Sequence, residues 1–441
     1  MSNAPPVESQ KPVEIEKIVD AFDSSDEAKI VAICREAHPG DVEEAFERLD
    51  EPNREAILNF LPVELIAELG DYLPAADMEK RLQTLPEEDQ AEVLDSMSDD
   101  ELVDLLQEVD EEERRSDLIE LLPEEKQVVS EELLQFEEET AGGRMTTAMA
   151  KIHEDETVGE VLQSLREKKE DTEILSRIYV VDGDDRLLGK VRLRDLAFSP
   201  EETRVLEVAD RDLTAIEARA DQEEAAQMVA RYDLLALPVV DADGRLLGVI
   251  THDDAIDILE KETTEDMERI GGIGGERGDL AYLQTSVTGH VKRRFWWVLV
   301  LAFLALASGI IMFAYEDTLK AYFVLAIYLP MVIAAGGNTG GQSATMIIRA
   351  MSLGELGPQE FRRVIFKEMR IGMILGGLLG IFVALQIQFL LPDGVVDEGI
   401  SVFRIAIVVG LSLLAQITTS TLFGAILPIG ARAAKLDPAV V

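Results

Sequence analysis

The sequence predicts a multidomain membrane protein. An acidic soluble half, all-α and then α/β, should precede an α-helical transmembrane bundle. Three observations carry that prediction. The formal net charge is −45, yet residues from 281 onward hold 12 Lys+Arg and 9 Asp+Glu, leaving 29 basic and 77 acidic residues in the first 280. Four apolar segments, each near the 20 residues that a hydrocarbon core demands, lie in the last third. Two internal repeats of different period divide the acidic half. So acidic a surface excludes nucleic acid as a partner and favours cations. It fits a salt-adapted solvated surface or clustered divalent-cation sites, and bulk charge does not separate the two.

Residues 1–12 read as a disordered tail. They lack the basic and apolar regions of a secretory signal, which keeps the acidic half in the cytoplasm. Over 13–138, Leu-Pro recurs at Leu61-Pro62, Leu73-Pro74 and Leu85-Pro86; Met97-Ser98 continues the register and Leu122-Pro123 falls one residue late. Proline suits a helix start and apolar residues follow at helical spacing, so this region is predicted as a superhelix of short helices. Acids open several of them, as in Glu87-Glu88-Asp89 and Asp99-Asp100-Glu101, where they complement the helix dipole.

The second repeat falls in 139–260. Arg177–Phe198 matches Leu235–Leu259, and the shared Arg-Leu-Leu-Gly begins at Arg186 and again at Arg245. Each copy reads as strand, Asp/Gly turn, strand and helix. This resembles a tandem pair of CBS domains, which implies nucleotide binding or regulatory signalling. The motif Gly-h-h-Thr-x-x-Asp, h being apolar, is present as Gly248–Asp254, with Thr251 and Asp254 as its polar members. The first copy is degraded, with Lys190 and Arg192 in the motif, although Asp195 keeps the acceptor position. ATP is the nucleotide this implies.

A connecting amphipathic helix and glycine-rich linker are expected over 255–280. Ile256, Leu259, Thr263, Met267 and Ile270 share one helical face, acids fill most of the rest, and Gly271–Gly275 ends it. The transmembrane domain, 292–441, should cross four times, at about 295–315, 322–348, 371–391 and 403–429. Lys292–Arg294, Arg349–Arg370 and Arg432–Lys435 flank one side, placing both chain ends in the cytoplasm. Within these limits Arg404 is the one ionisable residue, an unusual shortage for a cation path. Gly336–Thr345, GGNTGGQSAT, interrupts the second span with glycines and polar side chains. It reads equally as a broken helix at an ion site or as a small-residue packing surface. Cys34 is the single cysteine, and His38, His153, His252 and His290 are scattered, so no nucleophile–base spacing points to an enzyme.

This order of parts resembles the MgtE family of magnesium channels. The specific carriers are Ala141–Thr146 (AGGRMT), Thr251–Asp257 and Gly336–Thr345. The resemblance implies a homodimer in the plasma membrane, surrounded by lipid, that conducts Mg²⁺ and is closed by Mg²⁺ bound to its cytosolic half. It implies a pore lined by Gly337, Asn338, Gly341 and Thr345, where the family usually has Asn at the position of Gly341. It puts cytosolic metal ligands at Glu223, Asp233, Asp254, Asp257, Glu262 and Glu265, and more loosely at Asp100, Glu101 and Asp104. The family has a fifth span with a pore Asp, so the sequence is expected to be a fragment or truncated frame. Transport of another divalent cation or solute, and magnesium sensing without conduction, stay open as alternatives.

Overall fold

The structure is a computed structural model, and it describes residues 15–24, 26–109, 111–167, 178–274, 285–357, 359–391, 401–434, 436 and 438. The expected tail, Arg177, Gly275 and the acids between the third and fourth apolar segments, Asp393, Asp397 and Glu398, lie outside them. The chain forms two units, residues 1–262 with 277–286, and residues 263–276 with 287–441.

The first unit begins with short helices running from α1 (Ile15–Asp23) to α10 (Glu124–Leu133), among them α5 (Val63–Glu68), α6 (Ala75–Leu82), α7 (Glu87–Ser96) and α8 (Asp99–Glu108). The twelve-residue period now has a cause. Pro62, Pro74 and Pro86 each sit immediately before a helix, where the missing N–H costs nothing, while Leu61, Leu73 and Leu85 drop into one shared core. Arg54 is sealed inside this layer, 1% exposed, with Nε donating to Asp77 at 2.5 Å and Nη1 donating to the Leu49 carbonyl at 3.2 Å.

Two α/β modules follow. The first comprises β1 (Ala150–His153), α11 (Val158–Glu167), β2 (Ile178–Val181), β3 (Leu187–Val191), α12 (Leu193–Ala197) and α13 (Val205–Val208). The second comprises β4 (Ile216–Glu217), α14 (Gln222–Arg231), β5 (Ala236–Val240), β6 (Leu246–Thr251) and the start of α15 (His252–Ile270). Each sheet has its outer strand parallel to a central one, which pairs antiparallel with the third. The repeated Asp/Gly turns meet across the modules: Arg186 and Arg245 form a bridge, and Leu187 N–H donates to the Gly244 carbonyl.

The second unit holds α16 (Val287–Ala314), α17 (Glu316–Ala321), α18 (Phe323–Ser352), α19 (Phe361–Leu390) and α20 (Val402–Ala433). Four of these are long and apolar enough to cross a membrane. Helices α18 and α19 both pack on α20, whereas α16 buries no residue. The helices outrun the expected spans because their polar ends continue the same backbone ladder; a 30-residue helix is about 45 Å long.

The structure refines three expectations. Gly336–Thr345 does not break the second span: α18 is helical throughout, with Gly336 and Gly340 packed closely on α20. Arg404 is still the one charged residue within the expected span limits, but α19 starts earlier than hydropathy indicates and carries Glu368 into the bundle at 9% exposure. The apolar stripe on α15 is not its buried face. Ile256, Met267 and Ile270 are exposed, while Ala255, Ile258 and Glu265 are buried. The first half of α15 packs on the core of the second α/β module; the second half belongs to the second unit, where Glu268 accepts from Arg293 and Asp266 from Ser352.

Candidate ion pathway and cytosolic acidic cluster

Helix α18 has two glycine lines one residue apart, and packing distinguishes them. A side-chain carbon at Gly336 would fall 2.3 Å from Gln416 Nε2, and one at Gly424 would fall 2.3 Å from the Gly340 carbonyl oxygen. That line, continued by buried Ser343 and Ile347, is the seam with α20. At Gly337 and Gly341 an added carbon would meet no atom within 4 Å, and Asn338 and Thr345 are exposed beside them. The four pore candidates therefore lie together on an open face of a continuous helix. Being helical, its carbonyls are already engaged in the i→i−4 ladder, so polar contacts to a hydrated cation would come chiefly from Asn338, Gln342 and Thr345.

In the soluble unit, α8 presents Asp100, Glu101 and Asp104, and α15 presents Asp254 and Asp257. Burial, then the Asp254 and Asp104 charges, pushes the Asp100 carboxyl up to about 7. Burial pushes Glu101 well up, with Asp104, Asp100 and Asp71 adding and Lys261 opposing. Burial raises Asp257 as well, reinforced chiefly by Asp254 and opposed by Lys261. These shifts tie the α8 and α15 acids into one electrostatic cluster. Asp100 Oδ1 and Gln107 Oε1, seven residues apart on one face of α8, are buried without a hydrogen-bond donor. A divalent cation is the kind of group that such oxygens fit. As the side chains stand, no three His, Cys, Asp or Glu among the described residues are already arranged to hold a metal ion.

A polar chain braces this cluster. Arg144, from the AGGRMT segment, pairs with Asp104 and, at 2.9 Å, with Glu138. Its Nε donates to Gln222 Oε1 at 3.1 Å, and Gln222 Nε2 donates to Glu262 Oε1 at 2.6 Å. Gln107, Arg144 and Gln222 were not singled out as site residues from the sequence, although Arg144 sits in a flagged motif. Glu223 lies at the start of α14, accepting from Gln227 at 3.0 Å, and Asp233 is exposed at a positive-φ turn. Glu265, in the second unit, is buried and pairs with Arg269. Thr251 and Asp254 are joined, the Thr251 N–H donating to Asp254 Oδ2 at 3.1 Å, while Asp195 belongs to α12 in the other module beside Arg194.

Comparison with known proteins bears on the whole arrangement. The profile described as "Divalent cation transporter" (MgtE) matches residues 329–441, the MgtE intracellular N domain matches 37–139, and the CBS domain matches 141–201 and 205–261. The chain belongs to the MgtE family. It is 39% identical over 311 residues to the magnesium transporter MgtE of Thermus thermophilus, covering 70% of this chain and 66% of that protein. It is 32% identical over 308 residues to the magnesium transporter MgtE of Bacillus subtilis, covering 70% and 65%. The chain thus spans just under two thirds of these MgtE relatives. Among solved structures it is similar to the cytosolic domain of the Mg²⁺ channel MgtE in complex with ATP, at 35% identity and TM-score 0.49, covering 56% of this chain and all of the other. This chain is accordingly an MgtE-type membrane protein whose matched N domain is intracellular. Inosine-5'-monophosphate dehydrogenases also match, over 24% of the chain or less.

Proposed function

We propose that this MgtE-family chain contributes to a Mg²⁺ pathway across the plasma membrane, working as a homodimer and closed by Mg²⁺ on its cytosolic side. The open face of α18, with Gly337, Asn338, Gly341 and Thr345 aligned opposite its packed seam, carries the reading. Two such faces across a two-fold axis would surround a hydrated ion, which suits a metal that sheds water reluctantly. The wholly unburied α16 offers further surface for a second copy and for lipid.

Closure follows from the acidic cluster. Two carboxylates 5 Å apart repel by about 0.8 kcal/mol in water and by roughly 3 kcal/mol at an effective dielectric of 20. Ionising Asp100, Glu101 and Asp257 beside Asp104 and Asp254 therefore costs a few kcal/mol, enough to shift a two-state element. Bound Mg²⁺ would neutralise them and draw α8 toward α15, with Glu223, Asp233, Glu262 and Glu265 as further cytosolic ligands. ATP at the α/β pair would use Thr251 and Asp254, with Asp195 in the companion module. Asp254 then serves both metal and nucleotide, so the two ligands are coupled. Mg²⁺ flux into liposomes holding a Mg²⁺ indicator tests the transport reading. Uptake above that of empty vesicles, suppressed by millimolar internal Mg²⁺, is the expected result; uptake equal to empty vesicles overturns it.

A further inference from the structure

Glu368 of α19 is turned into the helical bundle while its neighbours Lys367 and Arg370 stay exposed. Its Oε2 accepts from Ser343 Oγ at 2.9 Å, and that same Oγ lies 3.0 Å from the main-chain carbonyl of Thr421. Ser343 is 4% and Thr421 2% exposed. One buried hydroxyl therefore joins α18, α19 and α20. Thr421 Oγ1 turns back onto its own helix, to the Ile417 and Thr418 carbonyls, so it leaves Ser343 and Glu368 to each other. Ser343 is the side chain of α18 that reaches both α19 and α20 by polar contacts.

A buried carboxyl held by a single hydroxyl is a poor way to gain stability, because desolvation outweighs what one bond returns. It is a good way to gain direction. The rest of the α18–α20 seam is smooth: Gly336 against Gln416, Gly340 against Ser420, Gly424 against the Gly340 carbonyl. Such contacts set how closely the helices approach but include no side-chain hydrogen bond between them. Ser343 lies about 200° around the helix from Gly341, on the opposite side from the open face.

We propose that Glu368 is a positioning residue. Through Ser343 it pins α18 against α19 and α20 and fixes the rotation that turns Gly337, Gly341 and Thr345 to the open side. What that face conducts rests on the transport reading above; the pin itself does not.

The test uses the full chain, in a Cys34→Ser background, carrying either Thr345→Cys or Ala344→Cys as a reporter. Labelling by a membrane-impermeant thiol reagent reads the rotation of α18, and Mg²⁺ flux in liposomes is followed in parallel. With Glu368 intact, the exposed Thr345→Cys should label about tenfold faster than the half-buried Ala344→Cys, the scale of one hydrogen bond. Glu368→Leu and Ser343→Ala should each bring that ratio close to one. Their combination should be no worse than either alone, and Glu368→Gln, which keeps an acceptor for Ser343, should restore the ratio. Should Glu368→Leu fail to fold, Ser343→Ala carries the same test. An unchanged ratio in Ser343→Ala, additive losses in the pair, or failure of Glu368→Gln to restore it overturns the pin. If the parent chain transports no Mg²⁺ but loses the ratio on Ser343→Ala, the transport reading falls and the pin stands; flux with an unmoved ratio means the reverse.

Discussion

Replacing Asp100 by Asn should stabilise the soluble unit without Mg²⁺ and blunt its response to Mg²⁺. The Asp100 carboxyl is raised from the ordinary 3.8 to about 7, burial being the first cause and the Asp254 charge the second. Three pH units correspond to about 4 kcal/mol of penalty on the ionised form. The sign follows from proton binding. The folded chain keeps a proton on Asp100 that the unfolded chain releases, so stability is greatest below pH 4 and falls as pH rises toward 7. Above 7 this contribution is flat. Asn keeps the shape, removes the charge and forfeits the Ser98 hydrogen bond that favours the carboxylate. A net gain of about 2–4 kcal/mol at pH 7.5 without Mg²⁺ is expected. Pulse proteolysis in urea, on the full chain in mild detergent, measures it. Wild type should gain about 2.7 kcal/mol when free Mg²⁺ is a hundred times its dissociation constant, and Asp100→Asn should gain clearly less. If Asp100→Asn is no more stable than wild type and responds equally to Mg²⁺, the cluster is not a repulsive element relieved by cation. Equal protection by Na⁺ at matched ionic strength would reduce the effect to screening.

Because Asp100, Glu101 and Asp257 are all held toward their protonated forms, Mg²⁺ must displace protons from them. The Mg²⁺ concentration giving half-maximal protease protection should therefore fall between pH 6 and pH 8; a pH-independent midpoint refutes this. Arg54→Ala should cost about 3–5 kcal/mol in urea unfolding, since it leaves Asp77 buried without its cation. Gly424→Ala should lower thermal stability in detergent by about 1–3 kcal/mol, through collision with the Gly340 carbonyl, whereas Gly341→Asn should be tolerated on the open face. Cys34, buried and pushed up to about 12, should react with an aqueous thiol reagent only after unfolding.

Much of this architecture was readable because its signals are local. A proline before each short helix with a leucine behind it is a decision made within a few residues, and so is the strand–turn–strand of each Arg-Leu-Leu-Gly copy. What was misread depends on neighbours distant in sequence. The α15 stripe failed because that helix serves two surroundings, an apolar core at Ala255 and Ile258 and polar partners at Asp266 and Glu268. Glu368 escaped notice because it stands between Lys367 and Arg370, where hydropathy reads a loop-side stretch rather than the first turns of a buried helix.

The sequence by itself determined the division into acidic and apolar halves, the helical periodicity, the paired α/β modules and the family. These follow from charge, hydrophobic period and turn chemistry, which act between residues close in the chain. The resemblance named the Gly337/Gly341 line, but only tertiary structure gives the physical reason, since Gly336/Gly340 and Gly337/Gly341 are equivalent until α20 packs on one of them. Tertiary structure also decided that Asp100 faces Asp254, and that Ser343 finds Glu368, because those energies exist only once separate helices exclude water between them.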